Sequence, residues 1–183
     1  MDIRHTLKAN RGFILFLFSF ALLRTAVADW NPIPTASMRP TLLEGDVVLV
    51  NRLAYDLKLP LTDVVLLRFS EPQRGDVVTL NSPADGTRLI KRVVGLPGDR
   101  IAMHDDVLVL NGQPLAESYA SEGFVRDQPA LRVPPGKVWV MGDNRRIGAS
   151  LDSRVYGPVD LRDVAGPANL RLWPDPGVAG GRP

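Results

Sequence analysis

Beyond residue 30, short runs of Val, Leu and Ile alternate with Gly, Pro, Asn and Asp, and this punctuation limits the fold more than any other feature of the chain. "GDVVLVN" (45–51), "GDVVTLN" (75–81), "RLIKRVVG" (88–95), "DVLVLNG" (106–112) and "GKVWVMGDN" (136–144) are short for helices and bounded by residues that break them. Sixteen glycines and sixteen prolines supply the breaks, so strands and turns should dominate. In "VLVLNGQPLAE" the Asn111-Gly112 pair stands between apolar flanks, a strong local signal for a hairpin. With no long helical period and no internal repeat, the pattern predicts a mainly β domain, barrel-like or sandwich-like. The stretch from Ala116 to Gly136 is polar and rich in breakers and reads as an excursion from the sheet; residues 174–183 read as a flexible tail.

The N-terminus follows different rules. Arg4, Lys8 and Arg11 precede "GFILFLFSFALL" (12–23), and "RTAVADW" follows. Basic flank, apolar centre and the Ala26-Val27-Ala28 triplet fit a cleavable signal peptide and also a short membrane anchor. A full span needs about 17–25 residues, so residues 12–28 reach only the lower end, and length by itself favours the signal peptide. Positive charge ahead of the segment keeps the N-terminus cytoplasmic and places everything after Asp29 outside in either case. A second apolar stretch, "YDLKLPLTDVVLLRF" (55–69), reads equally as a β surface dipping into lipid or as a pair of core strands.

Composition removes several function classes. The absence of cysteine excludes disulfides, thiol nucleophiles and cysteine-ligated metal centres, and two histidines, His5 and His104, cannot build a multi-histidine metal site. A net charge of +2 with no basic cluster interleaved with aromatics gives no case for nucleic acid. Neither a metal nor another cofactor is expected.

What remains is a serine set between prolines in "NPIPTASMRP" (31–40). A serine hydroxyl is a poor nucleophile until a base takes its proton. His5 falls on the cytoplasmic side, and His104, beside Asp105 and Asp106, reads as a solvated turn residue. A lysine can serve only when burial strips its charge. Alternation along "TRLIKRVVG" puts Thr87, Leu89, Lys91 and Val93 on one face and Arg88, Ile90, Arg92 and Val94 on the other. The face with two arginines is the better candidate for solvent, which turns Lys91 inward among aliphatic neighbours. The alternative is a strand lysine that keeps its head in water.

Read together, "IPTASMRPTL", "RGDVVTL", "KRVVGLPGD" and "GDNRRIGASLDSRVYG" resemble, in order, the motifs of type I signal peptidases, the membrane-anchored Ser/Lys endopeptidases that remove signal peptides from exported proteins. The resemblance runs over about residues 24–164 and implies a compact catalytic domain of coiled, barrel-like β-sheet with one N-terminal transmembrane helix. It implies Ser37 as nucleophile, Lys91 as general base, and an oxyanion hole from the Thr35 hydroxyl and the Ser37 N–H. It also implies that Ser150 orients the lysine and that Asp143, Asn144, Arg145, Asp152 and Arg154 support the site. Expected partners are signal-peptide-bearing precursors and membrane lipid, with the enzyme monomeric at the cytoplasmic membrane and its catalytic domain on the outer face.

The implied division is a cytoplasmic tail (1–11), a retained anchor (12–28), a peptidase domain (29–173) with a short cap-like excursion (116–136), and the tail (174–183). Three departures from the family pattern are visible: threonine stands at 35 where serine is common, tyrosine at 156 where tryptophan is frequent, and "RIGASL" lengthens the turn before Ser150. Rival readings are a Ser/Lys peptidase dedicated to one secretion or conjugation pathway, and a non-enzymatic, membrane-tethered β-domain that binds peptides. A self-cleaving repressor is a third, but no DNA-binding helix pair precedes the serine.

Overall fold

The computed structural model describes residues 8, 10–59, 64–121, 123, 127–168, 170–173 and 177–178. From the N-terminus, helix α1 (Arg11–Ala26) leads into strand β1 (Ala28–Pro32), a 3-10 turn (Ala36–Met38), β2 (Val47–Asn51) and the ribbon strands β3 (Asp56–Lys58) and β4 (Val65–Arg68). The chain continues through β5 (Val77–Asn81), β6 (Arg88–Gly95), β7 (Arg100–His104), β8 (Val107–Leu110), β9 (Gln113–Pro114), β10 (Gln128–Arg132) and β11 (Lys137–Met141). After one helical turn, α2 (Ser153–Tyr156), come β12 (Val159–Asp160), a second 3-10 turn (Leu161–Asp163), β13 (Val164–Pro167), β14 (Leu170–Trp173) and β15 (Gly177–Val178).

The mainly β expectation holds, and every described strand pairing is antiparallel. A five-stranded sheet runs β12-β11-β6-β5-β13, flanked by the sheets β1-β2-β14-β15 and β10-β7-β8-β9, with β3-β4 as a separate ribbon. The Asn111-Gly112 signal marks a real hairpin: both residues take positive φ (51° and 84°), as a tight turn between β8 and β9 requires. Three apolar clusters fill the interior. One lies between β5, β6, β11 and β12, around Val78, Leu80, Val93 and Val140. The second gathers Ile33, Met38, Leu42, Val48, Val50 and Val77, and the third packs Val94, Met103, Leu108, Trp139 and Met141.

Four expectations are corrected or narrowed. First, Arg92 does not face solvent: its guanidinium is covered by the Tyr119 ring and paired with Asp143, and Lys91 and Arg92 are 2% and 0% exposed. Second, the expected anchor does not reach residue 28, because Ala28 begins β1 and pairs with Asn51, so α1 stops at Ala26. No helix among the described residues is long and apolar enough to cross a membrane. Third, the excursion from Ala116 is irregular only at first, since β10 returns to the sheet beside β7. Fourth, Gly177 and Val178, inside the expected tail, pair with Arg171 and Leu170. Residues 174–176 and 179–183, like His5, lie outside the described residues. Of the two readings of residues 55–69, the described part departs from a core pair: Tyr55 is buried in the first cluster, but Leu57, Leu66, Leu67 and Phe69 are exposed, and residues 60–63 lie outside the described residues.

Candidate active site

Pro34 and Pro40 bracket a short loop that is pinned by Met38 within it and by Ile33 and Leu42 on either side, all sunk into the cluster beneath β2 and β5. Anchored on both sides, the intervening residues close the 3-10 turn with Thr35 as its extended N-cap and Ser37 in its middle. Ser37 is 7% exposed. Lys91 comes up from β6 beside it, and its Nζ donates to Ser37 Oγ at 2.9 Å and to the Ile90 carbonyl at 2.9 Å. Thr35 Oγ1 donates to the same Ser37 oxygen at 3.2 Å.

Burial sets the electrostatics. Removal from water pushes the Lys91 amine down from 10.5 to about 8; the carboxylates of Asp152 and Asp143 oppose that fall, and Arg154 assists it. Neither carboxylate is free to hold the ammonium. Asp143 takes Arg92 Nε at 2.9 Å and Nη2 at 2.6 Å, together with the Thr41 hydroxyl at 2.5 Å. Asp152 takes Arg154 Nε at 2.9 Å and Nη2 at 2.7 Å and the Gly142 N–H at 2.9 Å. Burial alone would raise the Asp152 carboxyl, and these bonds bring it below its ordinary value.

The turn 142–145 joins these groups to the serine. Asn144 N–H donates to the Ser37 carbonyl at 3.1 Å, and Asn144 Nδ2 to the Ala36 carbonyl at 3.0 Å. Gly142 permits the approach, since a side chain there would run into Ser150 Oγ and the Ser37 carbonyl oxygen. Ser150 is therefore brought to the site, where its hydroxyl lies close enough to the Asp152 carboxylate to help lower it, but no hydrogen bond joins it to Lys91 among the described residues. The Arg145 guanidinium is held by Glu117 and the Gly142 carbonyl, and its own carbonyl accepts from Arg154. His104 stays in water, its ring facing Asp105 and Asp127 at the end of β7.

Five contributors escaped the sequence reading: Thr41, Arg92, Glu117, Tyr119 and Ser121. Arg92 lies on the face opposite Lys91, as alternation predicts, but that face is buried there rather than wet, and the guanidinium packs against the Tyr119 ring at 3.9 Å. The others meet the site across long sequence separations that no local pattern encodes. A buried Asp143 does demand a buried cation, and Arg92, next to the lysine, was the available signal.

Beside Ser37 lies a cleft of about 170 Å3 walled by Asn31–Thr35 on one side and Arg88–Lys91 on the other. β11 pairs with β6 only from Arg92 to Gly95, so the opposite edge of Arg88–Lys91 is left without a strand; β1 is likewise an edge strand. An amine of lowered basicity in contact with an alcohol, beside two open strand edges, can deprotonate that alcohol next to an extended peptide.

Residues 6–173 match the family described as signal peptidase, peptidase S26. A probable signal peptidase I-1 of Synechocystis is 37% identical over 161 residues, 84% of this chain and 75% of that protein. The signal peptidase I of Pseudomonas aeruginosa is 33% identical over 209 residues, 91% of this chain and 73% of that protein. A crystal structure of a signal peptidase I from Enterococcus faecalis shares 36% identity with a TM-score of 0.48, over 54% of this chain and 97% of that one.

Proposed function

The chain belongs to the signal peptidase, peptidase S26 family, and from that premise we propose that Ser37 and Lys91 are its nucleophile and its general base. Its function is that of a type I signal peptidase, a serine endopeptidase that removes signal peptides from precursor proteins. The observation that carries the residue assignment is the 2.9 Å contact between a buried amine of lowered pKa and a buried hydroxyl.

The precursor lies extended in the cleft between β1 and the open edge of β6, held by main-chain pairing. The small volume of the cleft suits small side chains upstream of the cut. Neutral Lys91 takes the Ser37 proton as Oγ bonds to the scissile carbonyl carbon, and the carbonyl oxygen becomes an oxyanion held by the Ser37 N–H and the Thr35 hydroxyl. As the intermediate collapses, the C–N bond breaks and the Lys91 ammonium returns its proton to the leaving amine. Water then attacks the ester, Lys91 takes a proton from it, and Ser37 is regenerated with its hydrogen. No step needs a metal or a cofactor.

Helix α1 supports attachment to the membrane. Phe13, Leu15, Phe16 and Phe18 point around its whole circumference and are all exposed, a pattern suited to lipid. Sixteen residues rise about 24 Å against a hydrocarbon core of about 30 Å, a mismatch that local thinning and snorkelling flanks absorb. The basic residues ahead of it set the N-terminus in the cytoplasm and residues 29–173 on the outer face. The exposed ribbon β3-β4 adds a second lipid contact.

Purified full-length enzyme in detergent micelles, given a signal-peptide-bearing precursor, tests the assignment. Ser37→Ala and Lys91→Ala each abolish cleavage. Substantial turnover by Lys91→Ala would require another base and overturn it.

A further inference from the structure

Glu117 and Ser121 reach the turn 142–145 at several polar points. Glu117 grips the Arg145 guanidinium with both oxygens, at 2.5 and 2.6 Å. Ser121 N–H donates to the Asp143 carbonyl at 2.8 Å, and Ser121 Oγ accepts from Arg145 N–H at 3.0 Å while reaching Asn144 Oδ1 at 3.4 Å. The opposite side of the turn is bound by residues 152–154: Gly142 N–H donates to Asp152, and Arg154 Nη1 donates to the Arg145 carbonyl at 2.9 Å. Asn144 is thus held in a fixed pose between two clamps. Its own two donors fasten the carbonyls of Ala36 and Ser37.

Those carbonyls matter because of what stands on the reverse side of each peptide. A carbonyl and the N–H of the same peptide unit point in opposite directions. Fixing the Ala36 carbonyl therefore fixes the Ser37 N–H, the donor required by the oxyanion. Ser37 is also the second residue of the 3-10 turn, where an N–H has no carbonyl of its own helix to meet. We infer that the segment Glu117–Ser121 is a positioning strap: through Ser121 and the turn 142–145 it holds Asn144 on the Ala36 carbonyl and so aims the Ser37 N–H at the developing oxyanion. Ser121 is a positioning residue and touches no substrate. The inference rests on the assignment of Ser37 as nucleophile.

Glu117 is a poor probe, because its removal strands a buried Arg145 cation and unsettles the fold. Ser121 is small and only partly buried, so Ser121→Ala removes the hydroxyl alone, and Ser121→Thr restores it. Both variants, with Ser37→Ala and Lys91→Ala as references, are assayed as full-length enzyme in micelles on one precursor between pH 6 and 9. A misaimed oxyanion donor weakens the transition state and leaves the bound ground state as it was. Ser121→Ala is expected to lose about 10- to 100-fold in kcat, with KM within about twofold. Its pH profile keeps the wild-type midpoint, since Lys91 is untouched, and Ser121→Thr recovers to within about threefold. Wild-type kcat in Ser121→Ala, with both references inactive, would overturn the strap and leave the Ser/Lys assignment standing. A loss that Ser121→Thr does not rescue, or a rise in KM that accounts for it, would mark the segment as scaffolding and also overturn the inference. Activity retained by Ser37→Ala would instead strike at the nucleophile.

Discussion

Replacing Lys91 with methionine should kill the enzyme and stabilise the fold at neutral pH, and the two effects have one origin. Burial lowers the amine from 10.5 to about 8. At about 1.4 kcal/mol for each tenfold change, that gap is worth about 3 kcal/mol, and its sign follows from proton uptake. Between pH 8 and 10.5 the unfolded chain holds the lysine proton and the folded one does not. The penalty is therefore fully present below pH 8 and disappears as the pH rises through 10.5. Methionine fills a similar volume with no charge to desolvate, but it forfeits the two amine hydrogen bonds to Ser37 and Ile90, worth about 1 kcal/mol each. The difference leaves Lys91→Met more stable by about 1 kcal/mol at pH 7, or about 2–4 °C in melting temperature for a chain of this size. At pH 10 the order reverses, with the crossing near pH 9. Thermal unfolding of both proteins, followed by tryptophan fluorescence in micelles from pH 6.5 to 10, checks the sign and the crossing. A methionine variant that is less stable at every pH, by a constant margin, would refute the claim that the lysine is desolvated.

Other consequences are local. Thr35→Ala should cost about two to three powers of ten in kcat, the usual effect of losing one oxyanion donor, while Thr35→Ser stays near wild type; steady-state kinetics on a precursor decides. Gly142→Ala should lower stability by about 1–3 kcal/mol and collapse activity, because a methyl group displaces Ser150 and the Ser37 carbonyl together, and it is read by melting temperature and kcat. Aspartate at both Leu66 and Leu67 should weaken binding of the chain lacking residues 1–27 to phospholipid vesicles by at least tenfold, if the exposed ribbon lies in the interface; unchanged co-sedimentation counts against it.

How far the sequence carried the reading depends on the range of the interaction. The strand "RLIKRVVG" was legible residue for residue as β6, and so was the Asn111-Gly112 turn, because both depend on alternation and backbone preference within a few positions. Arg92 was misplaced for the opposite reason. Alternation says which side chains share a face but not which face meets water, and here the Tyr119 ring and Asp143, distant in sequence, cover the face that carries Arg92. Asp143 could not be matched to Thr41, since 102 positions separate them and only the folded chain brings them together. The anchor boundary failed at Ala28 because a hydropathy pattern cannot anticipate that the residue is taken by pairing with Asn51. The role of Glu117 and Ser121 was hidden in a stretch whose breakers gave no period at all.

Lys91 and Arg92 are neighbours on one strand, both removed from water, and their environments treat them differently. Arg92 meets a carboxylate in two-pronged geometry; Lys91 meets an alcohol and a carbonyl and is pushed toward neutrality. Burial is the main cause of the second outcome, and Arg154 adds to it. Asp152 would raise the lysine, and Arg154, bonded to it through Nε and Nη2, offsets part of that pull. Arg154→Met should therefore move the Lys91 pKa upward from about 8, without contact between the two side chains. In the wild type, kcat/KM should climb tenfold per pH unit on the acid side and level off above about pH 8. In the variant the same climb should continue to higher pH, so that activity lost at pH 7 returns at pH 9. A profile scaled down at every pH with its midpoint unmoved would mean that Arg154 only braces the turn, and that the base is tuned by burial alone.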